Sequence, residues 1–125
     1  MARILLIDDA EYANDLMKMI LEAGGHEVAG TARDGYEGIE KYRQLNPDLV
    51  ILDVIMPRMG GVECLEGIRN INPGAKILVV SADGQEEHVR NLVMEGAMGY
   101  ITKPYKKETV LAEIETILGD RLPAG

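Results

Sequence analysis

Residues Ile4–Asp15 read ILLIDDAEYAND. Four apolar residues end abruptly in the acidic pair Asp8–Asp9, and an amphipathic segment follows. A continuous apolar run suits a strand of a parallel sheet buried on both faces. Two adjacent carboxylates at the mouth of such a strand repel each other, and partial burial disfavours both charges. The arrangement therefore asks for a positive partner, and the rest of the chain is read for where that partner comes from.

The run recurs. Apolar stretches lie at Ile4–Ile7, Glu27–Gly30, Asp48–Leu52, Lys76–Val80 and Gly99–Ile101. Amphipathic segments separate them. Tyr12, Leu16, Met19, Ile20 and Ala23 fall at helical spacing, and Gly24–Gly25 ends that helix. Asp34 is the expected N-cap of a second helix carrying Ile39 and Tyr42, which Asn46–Pro47 ends. Val62, Leu65 and Ile68 mark a third helix, Val89, Leu92 and Val93 a fourth, and Val110, Leu111, Ile114, Ile117 and Leu118 a fifth. Strands alternating with helices through short connections predict right-handed βαβ units and an open, doubly wound α/β domain. The expected domain is 1–119, followed by a short tail at 120–125, with no linker or second domain.

The bulk properties agree. The chain has 125 residues, 46% of them hydrophobic, enough for one domain with one sizeable core. There are 21 Asp and Glu against 13 Lys and Arg, which argues against a nonspecific nucleic-acid binder and favours cations or basic surfaces as partners. No apolar run reaches the length of a membrane span, and the start MARILLIDD does not read as a signal peptide. Cys64 is the single cysteine, so no internal disulfide forms. A reducing cytoplasm and a buried, unreactive thiol are expected.

In doubly wound folds ligands sit beyond the carboxyl ends of the strands. Those positions hold Asp8 and Asp9 after the first strand, Asp53 after the third, Ser81 after the fourth and Lys103 after the fifth. Singly, each has a structural explanation: Asp9 as a helix N-cap, Asp53 in a turn, Ser81 as the cap of the fourth helix, Lys103 in solvent. Together they crowd three carboxylates at one sheet edge with one lysine in compensation. Such crowding raises the pKa of at least one group or recruits a cation. Oxygen-only ligands select a hard ion such as Mg²⁺, which binds through one or two carboxylates plus phosphate oxygens. No His or Cys stands at these strand ends, so zinc is not expected; His26 and His88 read as surface or packing residues. No phosphate-binding glycine loop is present. The phosphoryl group is then expected on a side chain, as an aspartyl phosphate.

With LLIDDAEY, PDLVILDVIMPRMGG, ILVVSADG and GYITKPY in order and in register, the chain closely resembles the receiver domain of two-component response regulators, most nearly the single-domain chemotaxis type. The resemblance runs from about Ala2 to Leu118. It implies a flavodoxin-like sheet of strand order 2-1-3-4-5. It implies Asp53 as phosphoacceptor, and Asp8 and Asp9, with Asp53 and the Ile55 backbone carbonyl, as Mg²⁺ ligands. Ser81 would hydrogen-bond the phosphoryl group, Lys103 neutralise it, and Tyr100 act as the aromatic switch residue. A cis Lys103–Pro104 peptide is expected as well, turning the lysine back to the strand ends. Two departures stand out: Gly60 where an acidic residue or Asn is usual, and Tyr105 where Phe is usual.

The implied partners are a histidine kinase as phosphodonor and a downstream protein docking on helix four, strand five and helix five. Direct nucleic-acid or membrane binding is not implied. The expected form is a monomer, with phosphorylation-driven dimerisation an open alternative. A receiver cut from a longer regulator reads identically. An aspartate-nucleophile phosphatase needs a cap insertion, for which these loops are short. A flavodoxin-like FMN carrier needs a Ser/Thr/Gly loop where Asp8 and Asp9 stand. A degenerate, docking-only receiver would have lost part of the Asp8, Asp9, Asp53, Ser81 and Lys103 set.

Overall fold

The computed structural model describes residues 2–54, 56, 58–82 and 86–119; the side chains at 86, 88 and 89 lie outside the description. The expectations placed on the Ile55 carbonyl, on His88 and on the tail at 120–125 therefore fall outside the described residues.

The order is β1 (Arg3–Ile7), α1 (Glu11–Ala23), β2 (Glu27–Ala32), α2 (Gly35–Leu45), β3 (Leu49–Asp53), α3 (Gly61–Ile71), β4 (Ile77–Ala82), α4 (Glu86–Met94), β5 (Gly99–Lys103) and α5 (Lys107–Gly119). The five strands form one parallel sheet in the order β2-β1-β3-β4-β5. Its central strands β1, β3 and β4 carry continuous apolar runs, Ile4–Ile7, Leu49–Leu52 and Ile77–Val80, because alternate side chains enter different cores. Leu5, Ile7, Val50, Leu52, Ile77 and Val79 pack with Tyr42 of α2, Leu65 and Ile68 of α3 and Leu92 of α4. Ile4, Leu6, Leu49, Ile51, Leu78 and Val80 pack with Met17 and Leu21 of α1 and Val110, Ile114 and Ile117 of α5. Burying each such Ile or Leu contributes roughly 1.5–3 kcal/mol, which makes these two layers the main source of stability.

The strands outrun their sequence signals. β3, β4 and β5 pair through Asp53↔Val80, Ser81↔Thr102 and Ala82↔Lys103. Main-chain pairing continues past the last apolar residue, because a ladder hydrogen bond does not depend on the side chain it carries. Asp53, Ser81 and Lys103 thus belong to the sheet itself and not to the loops after it.

The first helix differs in its inward face. Its buried residues are Asn14, Met17 and Leu21, whereas Tyr12, Leu16 and Met19 are exposed. Both sets have helical spacing, and contact with α5 and the sheet decides between them. The helix ends as expected, with Gly25 at a φ of 86° that glycine adopts without strain.

α2 begins as predicted. The Asp34 side chain accepts from Glu37 N at 2.9 Å, and Glu37 Oε1 accepts from Arg33 N at 2.7 Å. Two otherwise orphaned amides are satisfied this way. At α3, Glu63 Oε2 accepts from Gly60 N at 3.0 Å and ties the turn to the first helical residues. Gly61 sits against the end of β3, where an added Cβ would come within 2.8 Å of the Val54 carbonyl. A side chain at that position would push the start of α3 away from the strand that carries Asp53.

Candidate functional site

α1 covers one face of the sheet and α3 the other, so the chain leaves the adjacent strands β1 and β3 in opposite directions. The crevice at this switch point is where Asp8 and Asp53 stand. Asp8, Asp9 and Asp53 each bring a carboxylate oxygen to within 4.8 Å of the others. The Asp8 and Asp53 side chains are each only 13% exposed, while Asp9 is open to solvent.

Asp8 is held closely. Its N–H donates to the Ala32 carbonyl at 3.0 Å, its Oδ1 accepts from Ala10 N at 2.9 Å, and its carbonyl accepts from Asn14 Nδ2 at 3.1 Å. Lys103 enters from β5, with Nζ 3.6 Å from Asp8 Oδ2 and 4.0 Å from Asp53 Oδ1. The Lys103–Pro104 peptide is cis.

The single-residue explanations give way. The N-cap of α1 is Ala10 and not Asp9. Ser81 lies in β4, well before α4 begins at Glu86, so it does not cap that helix. Lys103 is paired with two carboxylates. Ser81 is buried, one residue beyond the strand partner of Asp53. Tyr100 is half exposed on the edge strand β5.

The donor set suits a small hard cation. Three carboxylates lie within reach of one another, the Lys103 ammonium reaches two of them, and all the candidate ligand atoms are oxygens. The site can hold a divalent ion, and an anion drawn to that ion would lie beside Lys103.

Two residues near the site carried no role in the sequence reading. Asn14 is buried behind Asp8; its signal was a polar residue spaced with Met17 and Leu21 on one helical face. Tyr105 is half buried. Its phenol is pushed above its usual range by burial first, and then by Asp8, Asp53 and Tyr12, which places it in the field of the acidic cluster. Both line a small cavity together with Asp8 and Asp53.

The remaining singled-out residues are structural. His26 is buried and accepts from Ala2 N at Nδ1, 3.1 Å away. Cys64 is fully buried, with Sγ 3.8 Å from the Gly35 carbonyl, and burial pushes its pKa up to about 12. Among the described residues no helix is long and apolar enough to cross a membrane.

Fold and site together define a receiver: a doubly wound sheet presenting an acidic cluster and a lysine at its switch point. The sequence profile of the response regulator receiver domain matches residues 4–115, and the chain belongs to that family. The chemotaxis protein CheY of Thermotoga maritima is 39% identical over 115 residues, covering 92% of this chain and 96% of that one. Two solved structures are similar. A response regulator receiver domain protein from Clostridium thermocellum superposes with a TM-score of 0.91 at 28% identity, over 97% of both chains. The CheX–CheY–BeF3–Mg complex from Borrelia burgdorferi gives 0.88 at 31% identity, over 93% of this chain and 88% of that one. This chain is thus a CheY-like receiver domain of two-component signalling.

Proposed function

We propose that the chain is a phosphorylation-controlled switch that accepts a phosphoryl group on Asp53 from a histidine kinase and signals by docking to a protein partner. The observation that carries this reading is the convergence of Asp8, Asp9 and Asp53 within 4.8 Å, with Lys103 reaching two of the three. Asp8 and Asp9, with Asp53, would hold Mg²⁺. Bound there, Mg²⁺ would offset the carboxylate repulsion and neutralise charge on the phosphoryl oxygens.

The protein's own groups then divide the work. An Asp53 oxygen attacks phosphorus as the bond from phosphorus to the donor's imidazole nitrogen breaks, and the freed imidazole takes a proton from solvent. Lys103, fixed by the strand end, faces the incoming negative charge. Ser81 donates its hydroxyl to one phosphoryl oxygen. The catalysis is confined to its own phosphorylation and dephosphorylation.

The output surface is the α4–β5–α5 face. Val93, Met94, Met98 and Tyr100 are exposed there, and methionines suit a surface that repacks around a partner. The Borrelia CheY is a CheX partner in its complex, which supports a protein target for this chain too. Ser81 and Tyr100 form the bistable pair: drawing Ser81 toward the phosphate opens room beside β5 for the Tyr100 ring. The cytoplasm is the compartment where such a kinase and a single free cysteine coexist. The test is incubation with acetyl phosphate and Mg²⁺ followed by intact mass: one added phosphoryl group is expected, and none in EDTA or in Asp53→Asn.

A further inference from the structure

Asn14 is only 5% exposed, on a helix whose other buried residues, Met17 and Leu21, are apolar. Burying a carboxamide costs free energy unless its hydrogen bonds are made. Here the amide nitrogen makes its bonds to backbone at the site. Nδ2 lies 3.1 Å from the Asp8 carbonyl and 3.5 Å from the Ala32 carbonyl. The same Ala32 carbonyl accepts the Asp8 N–H at 3.0 Å. One side chain on α1 thus ties together the ends of β1 and β2 at the residue that begins the acidic pair. The N-cap Ala10 offers no side-chain cap; beyond its own backbone bonds, the helix start is tied to the strand end by the Ala10 N–H, which donates to Asp8 Oδ1 at 2.9 Å, and by Asn14.

We propose that Asn14 is a positioning residue for the cation site. Its amide fixes the Asp8 peptide, and with it the Asp8 and Asp9 carboxylates, at the spacing from Asp53 that a small divalent ion requires. It touches neither ion nor phosphoryl group. The inference rests on the reading of Asp8, Asp9 and Asp53 as an Mg²⁺ site. Without the amide the Asp8 carbonyl loses its buried donor, and the turn that carries both carboxylates has one tether fewer. Removing an outer hydrogen-bond partner of a metal ligand typically weakens affinity by 10–100-fold. Asn14 acts through backbone, so the low end of that range applies.

A purely structural amide would lower stability and leave the affinity of the folded protein alone. The experiment is calorimetric Mg²⁺ titration of the full chain as wild type, Asn14→Leu and Leu21→Ala, each verified as folded. Leu21→Ala removes core from the same helix without contact to Asp8. Asn14→Leu is expected to weaken Mg²⁺ binding about tenfold, and Leu21→Ala to stay within about twofold of wild type by additivity of distant sites. In EDTA, the Asp8 and Ala10 amides of Asn14→Leu should exchange with solvent faster relative to the rest of the chain. Should Asn14→Leu not fold, Asn14→Ser, too short to reach both carbonyls, carries the same expectation. Wild-type affinity in the Asn14 variants, or an equal loss in Leu21→Ala, overturns the proposal while the cation site stands. A wild type that binds no Mg²⁺ overturns the site reading and the inference with it.

Discussion

The Lys103 ammonium stands nearer Asp8 than Asp53, at 3.6 Å from Asp8 Oδ2 against 4.0 Å from Asp53 Oδ1. A divalent cation held at the acidic cluster would share the Asp8 carboxylate with this lysine. Lys103→Met should tighten Mg²⁺ binding about threefold, because an ion pair with a lysine this exposed is worth roughly 0.5–1 kcal/mol. The same variant should be slower to accept phosphate, since the charge facing the phosphoryl group is gone. Calorimetry and single-turnover phosphorylation separate the two effects. Weaker Mg²⁺ binding would mean that Lys103 organises the acidic cluster and does not compete within it.

Removing a charge should stabilise the metal-free protein. Asp8, Asp9 and Asp53 lie within 4.8 Å of one another, and Asp8 and Asp53 are largely shielded from solvent. Asp53→Asn is expected to raise stability in EDTA by about 1 kcal/mol, read as a higher urea midpoint with an unchanged slope. Mg²⁺ should then stabilise wild type more than the variant, by linkage. A lower midpoint for Asp53→Asn in EDTA would show that the carboxylate is already satisfied by its neighbours.

Chemistry and signalling should come apart at Ser81. Ser81→Ala is expected to accept phosphate at Asp53 more slowly and to respond weakly at Tyr100. NMR of the beryllofluoride-bound protein, wild type against variant, reads this directly. Equal shifts across α4, β5 and α5 in both would rule out coupling through Ser81.

Cys64 sets an alkaline limit. An unfolded thiol titrates near 8.5, while burial holds the folded one up to about 12. Between those values the unfolded chain binds fewer protons than the folded one, so stability falls as pH rises, by at most about 1.4 kcal/mol per pH unit from this group. Below pH 8 the contribution is flat. Urea midpoints of wild type and Cys64→Ala from pH 7 to 10.5 should run parallel and then converge, because only wild type carries the extra alkaline slope. Thiol reagents should label native Cys64 slowly throughout. A constant difference across the range would place the thiol in a more polar setting than its burial implies.

The sheet was legible because each strand is an apolar run wedged between helical segments. Ile4–Ile7 and Ile77–Val80 admit hardly any other reading. The strand ends were less legible, since Asp53, Ser81 and Lys103 are polar and only backbone pairing assigns them to β3, β4 and β5. The cluster itself followed from putting those ends side by side. Tyr12, Leu16 and Met19 show the limit of periodicity: their spacing announces a helix, but tertiary packing chose Asn14, Met17 and Leu21 as the inner face. Asn14 stayed silent for the same reason, because its worth lies in two carbonyls, one of them 18 residues away in the chain. Tyr105 was visible as a departure from Phe, but the field of Asp8 and Asp53 on its hydroxyl needed the fold.

The central claim is that Asp53 carries the phosphoryl group, and borohydride trapping tests it most directly. Borohydride reduces an aspartyl phosphate to homoserine and leaves free carboxylates alone. After incubation with acetyl phosphate and Mg²⁺, peptide sequencing of the reduced protein should find homoserine at position 53 and intact aspartate at positions 8 and 9. Homoserine at Asp8 or Asp9, or none in a protein that has gained a phosphoryl mass, would contradict the assignment.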